Sequence, residues 1–215
     1  MKSVLLIGLG RFGLYLAQSL SELGNQVLAI DRDEDRVNDA LRYVTSAQIG
    51  DASSERFIEA LGVRDFELCI VAIGDDFRSS LEVTSLLKEH GAPFVLSRAT
   101  GDSHAKFLLK NGADDVIRME QHMAHWTAVT YSDDRIFDYM QLSDDYAIYE
   151  ASVPSSWLGK TVLDLEVRKR YNINVLAVKK KGVLTPLAGP DHVFSSGETL
   201  LVLGARKDMN KFLKL

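Results

Sequence analysis

The chain has 215 residues, 46% of them apolar and 26% charged, with a formal net charge of −5 and a single cysteine, Cys69. This is enough for one sizeable core or for one core plus a small second one, and no apolar run approaches the ~20 residues of a membrane-spanning helix. The acidic balance argues against a general nucleic-acid binder, and a lone cysteine leaves no disulfide framework and fits a reducing compartment.

Met1-Lys2 runs directly into Val4–Ile7 and a glycine turn, so no cleavable leader is expected. Up to about residue 117, short apolar runs alternate with helix-period segments. The runs Val4–Ile7, Gln26–Ile30, Ala47–Ile49, Leu68–Ile73, Phe94–Ser97 and Asp115–Ile117 read as strands. Phe12–Leu23, Asp33–Tyr43, Ser53–Ala60, Asp76–Glu89 and Ser103–Asn111 read as helices. This alternation implies βαβ units and a parallel sheet, and the continuous apolarity of the first and fourth runs fits strands buried on both faces. Small hydroxyls near Ser53-Ser54 are expected to cap a helix, and Gly24, Gly91 and Gly112 stand where helix C′ glycines belong.

A single linking helix is expected from Met119 to about Tyr131, with Arg135–Gln141 as a second helical piece. Beyond it, strand-like runs (Tyr146–Val153, Val175–Lys179, Thr199–Leu203) alternate with turn signals, among them Lys181-Gly182 and residues 188–191. One helix is expected over Thr161–Tyr171. Residues 1–140 hold 14 Lys/Arg against 22 Asp/Glu, whereas residues 141–215 hold 11 against 8. The expected fold is α/β, a Rossmann-like doubly wound parallel sheet, followed by the linking helix and a second, smaller α+β domain.

Gly8-Leu9-Gly10-Arg11-Phe12-Gly13 is G-x-G-x-x-G, placed directly after a buried strand and at the start of a helix, with the acidic Asp31 ending the second strand. That context is what a dinucleotide fingerprint requires. Gly8 makes the tight turn, Gly10 lets backbone approach a pyrophosphate, Gly13 lets helix pack on strand, and the helix N-terminus faces the phosphates. Asp31 would accept from ribose hydroxyls. The alternative is a tight turn with no ligand. Arg11 adds a cation beside the phosphates, which favours a nucleoside di- or triphosphate over NAD. Because ligands sit at the C-terminal strand ends of such sheets, Asp51 and Ala52 are expected at the base, and Ala72, Ile73 and Gly74 near ribose and phosphates. Phe12 and Arg32 are counted with them. Arg98 ends the fifth strand and is either a cleft cation or an ordinary surface ion pair. Asp75-Asp76 reads as a helix cap rather than a metal pair, and His122 and His125 as a solvated helix face. Catalytic candidates are scarce: Cys69 lies mid-strand, and the second domain offers only His192, so no enzyme activity is expected.

Together the glycine loop, the Asp31 strand end, Val71–Gly74, Gly112–Asp115 and Leu142–Tyr146 resemble the KtrA/TrkA family of cytosolic regulatory subunits of potassium uptake systems, over essentially the whole chain. The resemblance implies an RCK N-terminal (KTN) domain over residues 1–135 and an RCK C-terminal (TrkA_C) domain over 136–215. It implies homo-oligomers, dimers of RCK domains in an octameric ring, docked on the cytosolic face of an integral membrane potassium channel subunit of the KtrB/TrkH kind, with no nucleic acid partner. ATP/ADP exchange would reshape the ring, with Arg11 reaching the γ-phosphate; TrkA-like members bind NAD or NADH instead. Glu120 matches a glutamate that holds a divalent cation, Mg2+ or Ca2+, although Met119 stands where the family usually has proline. Arg98 matches a basic position. Some members bind cyclic di-AMP between two C-terminal domains, and Val167, Arg168, Asn174, Val175 and Pro190 match that pattern, while Asn172 replaces a usual glycine. The rival classes are a small NAD-dependent oxidoreductase, which lacks a catalytic base here, and an NAD(H)-binding transcriptional regulator, for which no helix-turn-helix precedes the glycine loop.

Overall fold

The computed structural model describes residues 1–186 and 190–215, so Ala188 and Gly189 of the expected turn lie outside the described residues. The chain divides into two compact units, Met1–Gln121 and His122–Leu215. The boundary expected after residue 135 falls inside the second unit, because Trp126 and Val129 of the linking helix already pack on that unit's core.

The first unit is a six-stranded parallel sheet in the order β3-β2-β1-β4-β5-β6. Its strands are β1 (Ser3–Ile7), β2 (Gln26–Asp31), β3 (Ser46–Ile49), β4 (Leu68–Val71), β5 (Val95–Arg98) and β6 (Asp115–Ile117). They alternate with α1 (Arg11–Glu22), α2 (Glu34–Ala40), α3 (Glu55–Ala60), α4 (Phe77–Glu89) and α5 (Asp102–Lys110), and α6 (Met119–Tyr131) follows β6. β1 shows why the apolar run is continuous. Val4 and Leu6 join Ala17, Val37 and Ala40 of α1 and α2 on one face. Leu5 and Ile7 join Ile58, Val83 and Leu87 of α3 and α4 on the other. A strand covered on both faces has no polar side to show. β1 is flanked by β2 and β4, so the chain reverses its direction of travel across the sheet between β1 and β4, which leaves a crevice at their C-terminal ends.

Helix ends follow local chemistry. Gly24, Gly91 and Gly112 adopt φ of +83°, +87° and +104° just past α1, α4 and α5. Asp76 caps α4 by accepting from the Ser79 N–H. At α3 the expected hydroxyl cap is absent. Ser54 occupies the cap position without a side-chain bond. The Asp51 carboxylate instead accepts from the Ser53 N–H, a turn the longer acidic side chain reaches more readily.

The second unit is an antiparallel sheet in the order β10-β9-β11-β8-β7: β7 (Ile136–Gln141), β8 (Tyr146–Ser152), β9 (Ile173–Lys180), β10 (Val183–Pro186) and β11 (Glu198–Ala205). Two short helices, α7 (Val167–Tyr171) and α8 (Arg206–Phe212), pack with it around Trp157, Phe194 and Phe212. Ile136–Gln141 form a strand, not a second helical piece. A bulge between Ile136 and Asp138 turns both Ile136 and Tyr139 inward, and that spacing of three imitates a helical period. The helix expected over Thr161–Tyr171 is only α7. Thr161 and Asp164 exchange side-chain bonds with each other's N–H groups, and Glu166 turns left-handed at φ +45°, so the preceding residues form turns. Asn172, at φ +56°, takes the left-handed position that glycine would favour, and its amide donates to Asp208.

Candidate functional site

A cleft of about 440 Å³ opens at the C-terminal ends of β1, β2, β4 and β5. Gly8 turns at φ +97°, and a Cβ there would meet Ala72 and Ile73 at 3.2 Å, so the turn presses against the end of β4. A Cβ on Gly13 would run into the Gly8 carbonyl, which fixes how closely α1 sits on the turn. Gly10, by contrast, has nothing within 4 Å and faces open space. No side chain caps α1, so its first-turn N–H groups are left to whatever enters the cleft.

Asp31 is 8% exposed and organises the loop. One carboxylate oxygen accepts from the Leu9 N–H at 2.6 Å, and the other from the Asp33 N–H at 3.0 Å. Each oxygen keeps a lone pair that a hydroxyl can use. Arg36 stands 3.8 Å from Asp31 and lines the same cleft with Arg11 and Arg32.

Arg98 lies across the opposite side. Its guanidinium pairs with Glu120 at 2.5 Å, stands 5.7 Å from the Phe12 ring centroid, and occupies the space a Cβ on Gly74 would need. Its Nε is buried without a partner among the described residues. The Arg98 hydrogen bond holds the Glu120 carboxyl below the usual range. Asp76 is held low in the same way, first by the Ser79 N–H and then by its hydroxyl. Among the described residues no three His, Cys, Asp or Glu side chains converge as a metal site. Glu120 is one carboxylate already engaged by a guanidinium, so this chain's residues do not by themselves fit a cation.

Of the expected residues, Gly8, Gly10, Arg11, Phe12, Asp31, Arg32, Asp51, Ala52, Ala72, Ile73, Gly74, Arg98 and Glu120 all line this cleft, whereas Gly13 acts behind it by packing. Arg36, Ser53, Asp75, Asp76 and Ser79 also line it and were missed. Extending the strand-end rule into the turns that open α2, α3 and α4 would have found them. Cys69 is buried, which pushes its thiol up to about 12 and removes it as a nucleophile. His125 meets Tyr139 edge to face with Nε2 3.3 Å from the phenol oxygen and is half-buried, while His122 is solvated.

In the second unit, Val167 belongs to the core and Val175 packs against it. Arg168 and Pro190 are exposed, and Asn174 on β9 is half-buried. Glu198, 8% exposed, ties the turn before β11: it accepts from Ser195 Oγ at 2.6 Å and the Ser195 N–H at 3.0 Å, with His192 Nε2 at 3.2 Å. Burial raises its carboxyl, but the Ser195 and His192 contacts outweigh this and hold it at about 2.

Residues 4–119 match the TrkA-N domain and residues 147–215 the TrkA-C domain. Two relatives from Bacillus subtilis (strain 168) are similar over nearly their whole length. The Ktr system potassium uptake protein C is 38% identical over 99% of this chain and 96% of its own. The Ktr system potassium uptake protein A is 36% identical over 98% and 95%. Among solved structures, the GsuK channel superposes with a TM-score of 0.71 at 14% identity, covering 98% of this chain and 38% of that one. The GsuK channel bound to NAD gives 0.69 at 15%, covering 96% and 38%. At such identities these two show the fold alone.

Proposed function

The chain belongs to the KtrA/TrkA family of potassium uptake proteins, and from that premise we propose that it is a nucleotide-sensing regulatory subunit, not an enzyme, that acts from the cytosol on an integral membrane potassium channel subunit. In this proposal copies of the chain pair and close into an octameric ring, and exchange of ATP for ADP in the cleft changes the ring's shape and so the pore.

The observation that carries the nucleotide assignment is the glycine loop with an uncapped α1 above a cleft edged by Asp31. Its backbone donors suffice for a pyrophosphate, so Arg11 is surplus to that task. ATP and ADP differ only in the γ-phosphate, and a ligand shifts an equilibrium only by its differential affinity for the two states. Arg11, exposed at the mouth of the cleft, supplies a cation for that difference. A ~100-fold preference would give about 2.7 kcal/mol per site, which a ring multiplies. Asp31 is compatible with NAD or NADH but does not separate them from ATP or ADP, because its carboxylate suits the free 2′-hydroxyl that all of them carry. A cation at Glu120 would have the carboxylate oxygen that Arg98 leaves free and would need further donors, so it is assigned no step. Cyclic di-AMP at Arg168, Asn174 and Pro190 would likewise need a second copy.

The test is calorimetric titration of the full chain and Arg11→Ala with ATP, ADP and NADH. The expected outcome is tighter ATP than NADH binding, and a larger loss for ATP than for ADP in the variant. Equal losses remove Arg11 as the sensor. NADH binding tighter than ATP assigns the site to the NAD class instead.

A further inference from the structure

Behind one wall of the cleft runs a chain of buried hydrogen bonds that the cleft contacts do not use. His104, on α5, is 4% exposed, and its Nε2 lies 2.7 Å from Ser80 Oγ. That hydroxyl also lies 2.8 Å from the Phe77 carbonyl, and donating there leaves its oxygen to accept from Nε2. Nδ1 is then an acceptor, and the Thr100 N–H reaches it at 3.3 Å. Thr84 Oγ1 donates to the Ser80 carbonyl at 2.7 Å, and Ser97 Oγ lies 2.8 Å from it. Ser80, Thr84 and Ser97 are fully buried. The Thr100 N–H aimed at Nδ1 favours the neutral tautomer that carries its proton on Nε2.

Among the described residues no carboxylate pairs with the ring, and the acceptor that a second proton would meet is the Thr100 hydroxyl, 3.2 Å from Nδ1. From α4 the ring meets Ser80 and the Phe77 ring, at 4.7 Å, and from the turn before α5 it meets Thr100. The charged groups of these elements are engaged elsewhere or solvated: Asp76 with Ser79, Arg78 with Glu82, Arg98 with Glu120, Asp102 near Arg118, and Lys106 in solvent. Burial alone pushes the His104 pKa below its ordinary value. A proton on Nδ1 would set a ring N–H against the Thr100 N–H, 3.3 Å away, and break that hydrogen bond, leaving only the Thr100 hydroxyl at 3.2 Å to accept it.

The placement gives this consequence. Ser80 follows Asp76 and Ser79, which line the cleft, and Thr100 lies two residues beyond Arg98, which also lines it. We propose that His104 is a positioning residue for the cleft: its neutral form pins the first turn of α4 to the loop after Arg98, and nucleotide affinity falls as the ring takes up a proton. The inference rests on the nucleotide assignment above.

The test titrates the full chain and His104→Gln with ADP from about pH 8 down to about one unit below the His104 pKa read by histidine NMR titration, because burial places that pKa below the ordinary value. Glutamine keeps an N–H donor toward Ser80 and has no proton to gain. The ratio of the two Kd values removes the titration of ADP itself. The wild-type Kd is expected to rise, relative to the variant, by up to about tenfold per pH unit once the ring titrates. A ratio that does not change with pH overturns the inference and leaves the nucleotide assignment standing. No ADP binding by the wild type at the higher pH overturns both. Should the variant fail to fold, the wild type alone decides through a histidine NMR titration. Linkage is reciprocal, so saturating ADP must lower the pKa of the buried histidine, and an unchanged pKa refutes the role.

Discussion

Gly13→Ala separates what the glycine loop does for folding from what it does for ligand binding. A Cβ at this position would lie 2.9 Å from the Gly8 carbonyl carbon and closer still to its oxygen, and both are backbone atoms that no side-chain rotation can clear. Relief requires α1 to lift from the turn by ~1 Å, and overpacking of this kind costs about 1–3 kcal/mol. Alanine returns ~0.5–1 kcal/mol by its better helix propensity. The expected net loss is ~1–2 kcal/mol, a drop in Tm of roughly 2–8 °C for a chain of this size. Lifting the helix also moves its first-turn N–H groups out of line, so nucleotide affinity should fall by ~10-fold or more, about 1.4 kcal/mol. Gly10→Ala is the control: nothing lies within 4 Å of its Cβ position. Stability should change by less than ~1 kcal/mol, the scale of a weakened helix cap. Affinity should still fall, because the new methyl points where the ligand comes. Thermal unfolding followed by circular dichroism, paired with calorimetric ADP titration, reads both quantities. A Gly13→Ala chain with unchanged Tm and affinity would refute the close helix–turn packing, and a Gly10→Ala chain with unchanged affinity would refute the placement of phosphates at this loop.

Asp31→Asn should cost ~2 kcal/mol in urea unfolding, since two backbone donors lose a charged acceptor and an amide offers only one oxygen; full retention of stability would show that the loop does not depend on this carboxylate. Glu198 gives a pH signature. Its folded pKa, about 2, lies below the ordinary value of 4.5, so its contribution is present above about pH 4.5 and is lost as pH falls toward 2. Glu198→Gln should therefore be less stable at pH 7 by ~2 kcal/mol and show a shallower acid loss in that window, and parallel stability–pH curves would contradict it. Trp157 is 1% exposed and packs on Tyr171, Phe194 and Phe212. Trp157→Ala should cost ~3–5 kcal/mol in denaturant unfolding, and Trp157→Phe much less, because phenylalanine refills most of the space and removes an indole N–H that has no partner among the described residues.

Local chemistry alone determined much of this protein. Continuous apolarity at Val4–Ile7 signals a strand covered on both faces, Gly24, Gly91 and Gly112 mark three helix ends, and the glycine loop with Asp31 locates the cleft. Each signal is read within a few residues of where it acts. The tertiary structure decided what depends on partners distant in the chain. A bulge against β8 made a strand of Ile136–Gln141, whose inward residues are spaced as in a helix. The exchange between Thr161 and Asp164 and the left-handed Glu166 shortened a helix that periodicity had extended. Arg36 and Ser79 entered the cleft only because α2 and α4 start at its rim. The pairing of Arg98 with Glu120, 22 residues on, and the burial of His104 between Ser80 and Thr100 could not be read from the sequence, since long-range contacts of single side chains leave no periodic trace.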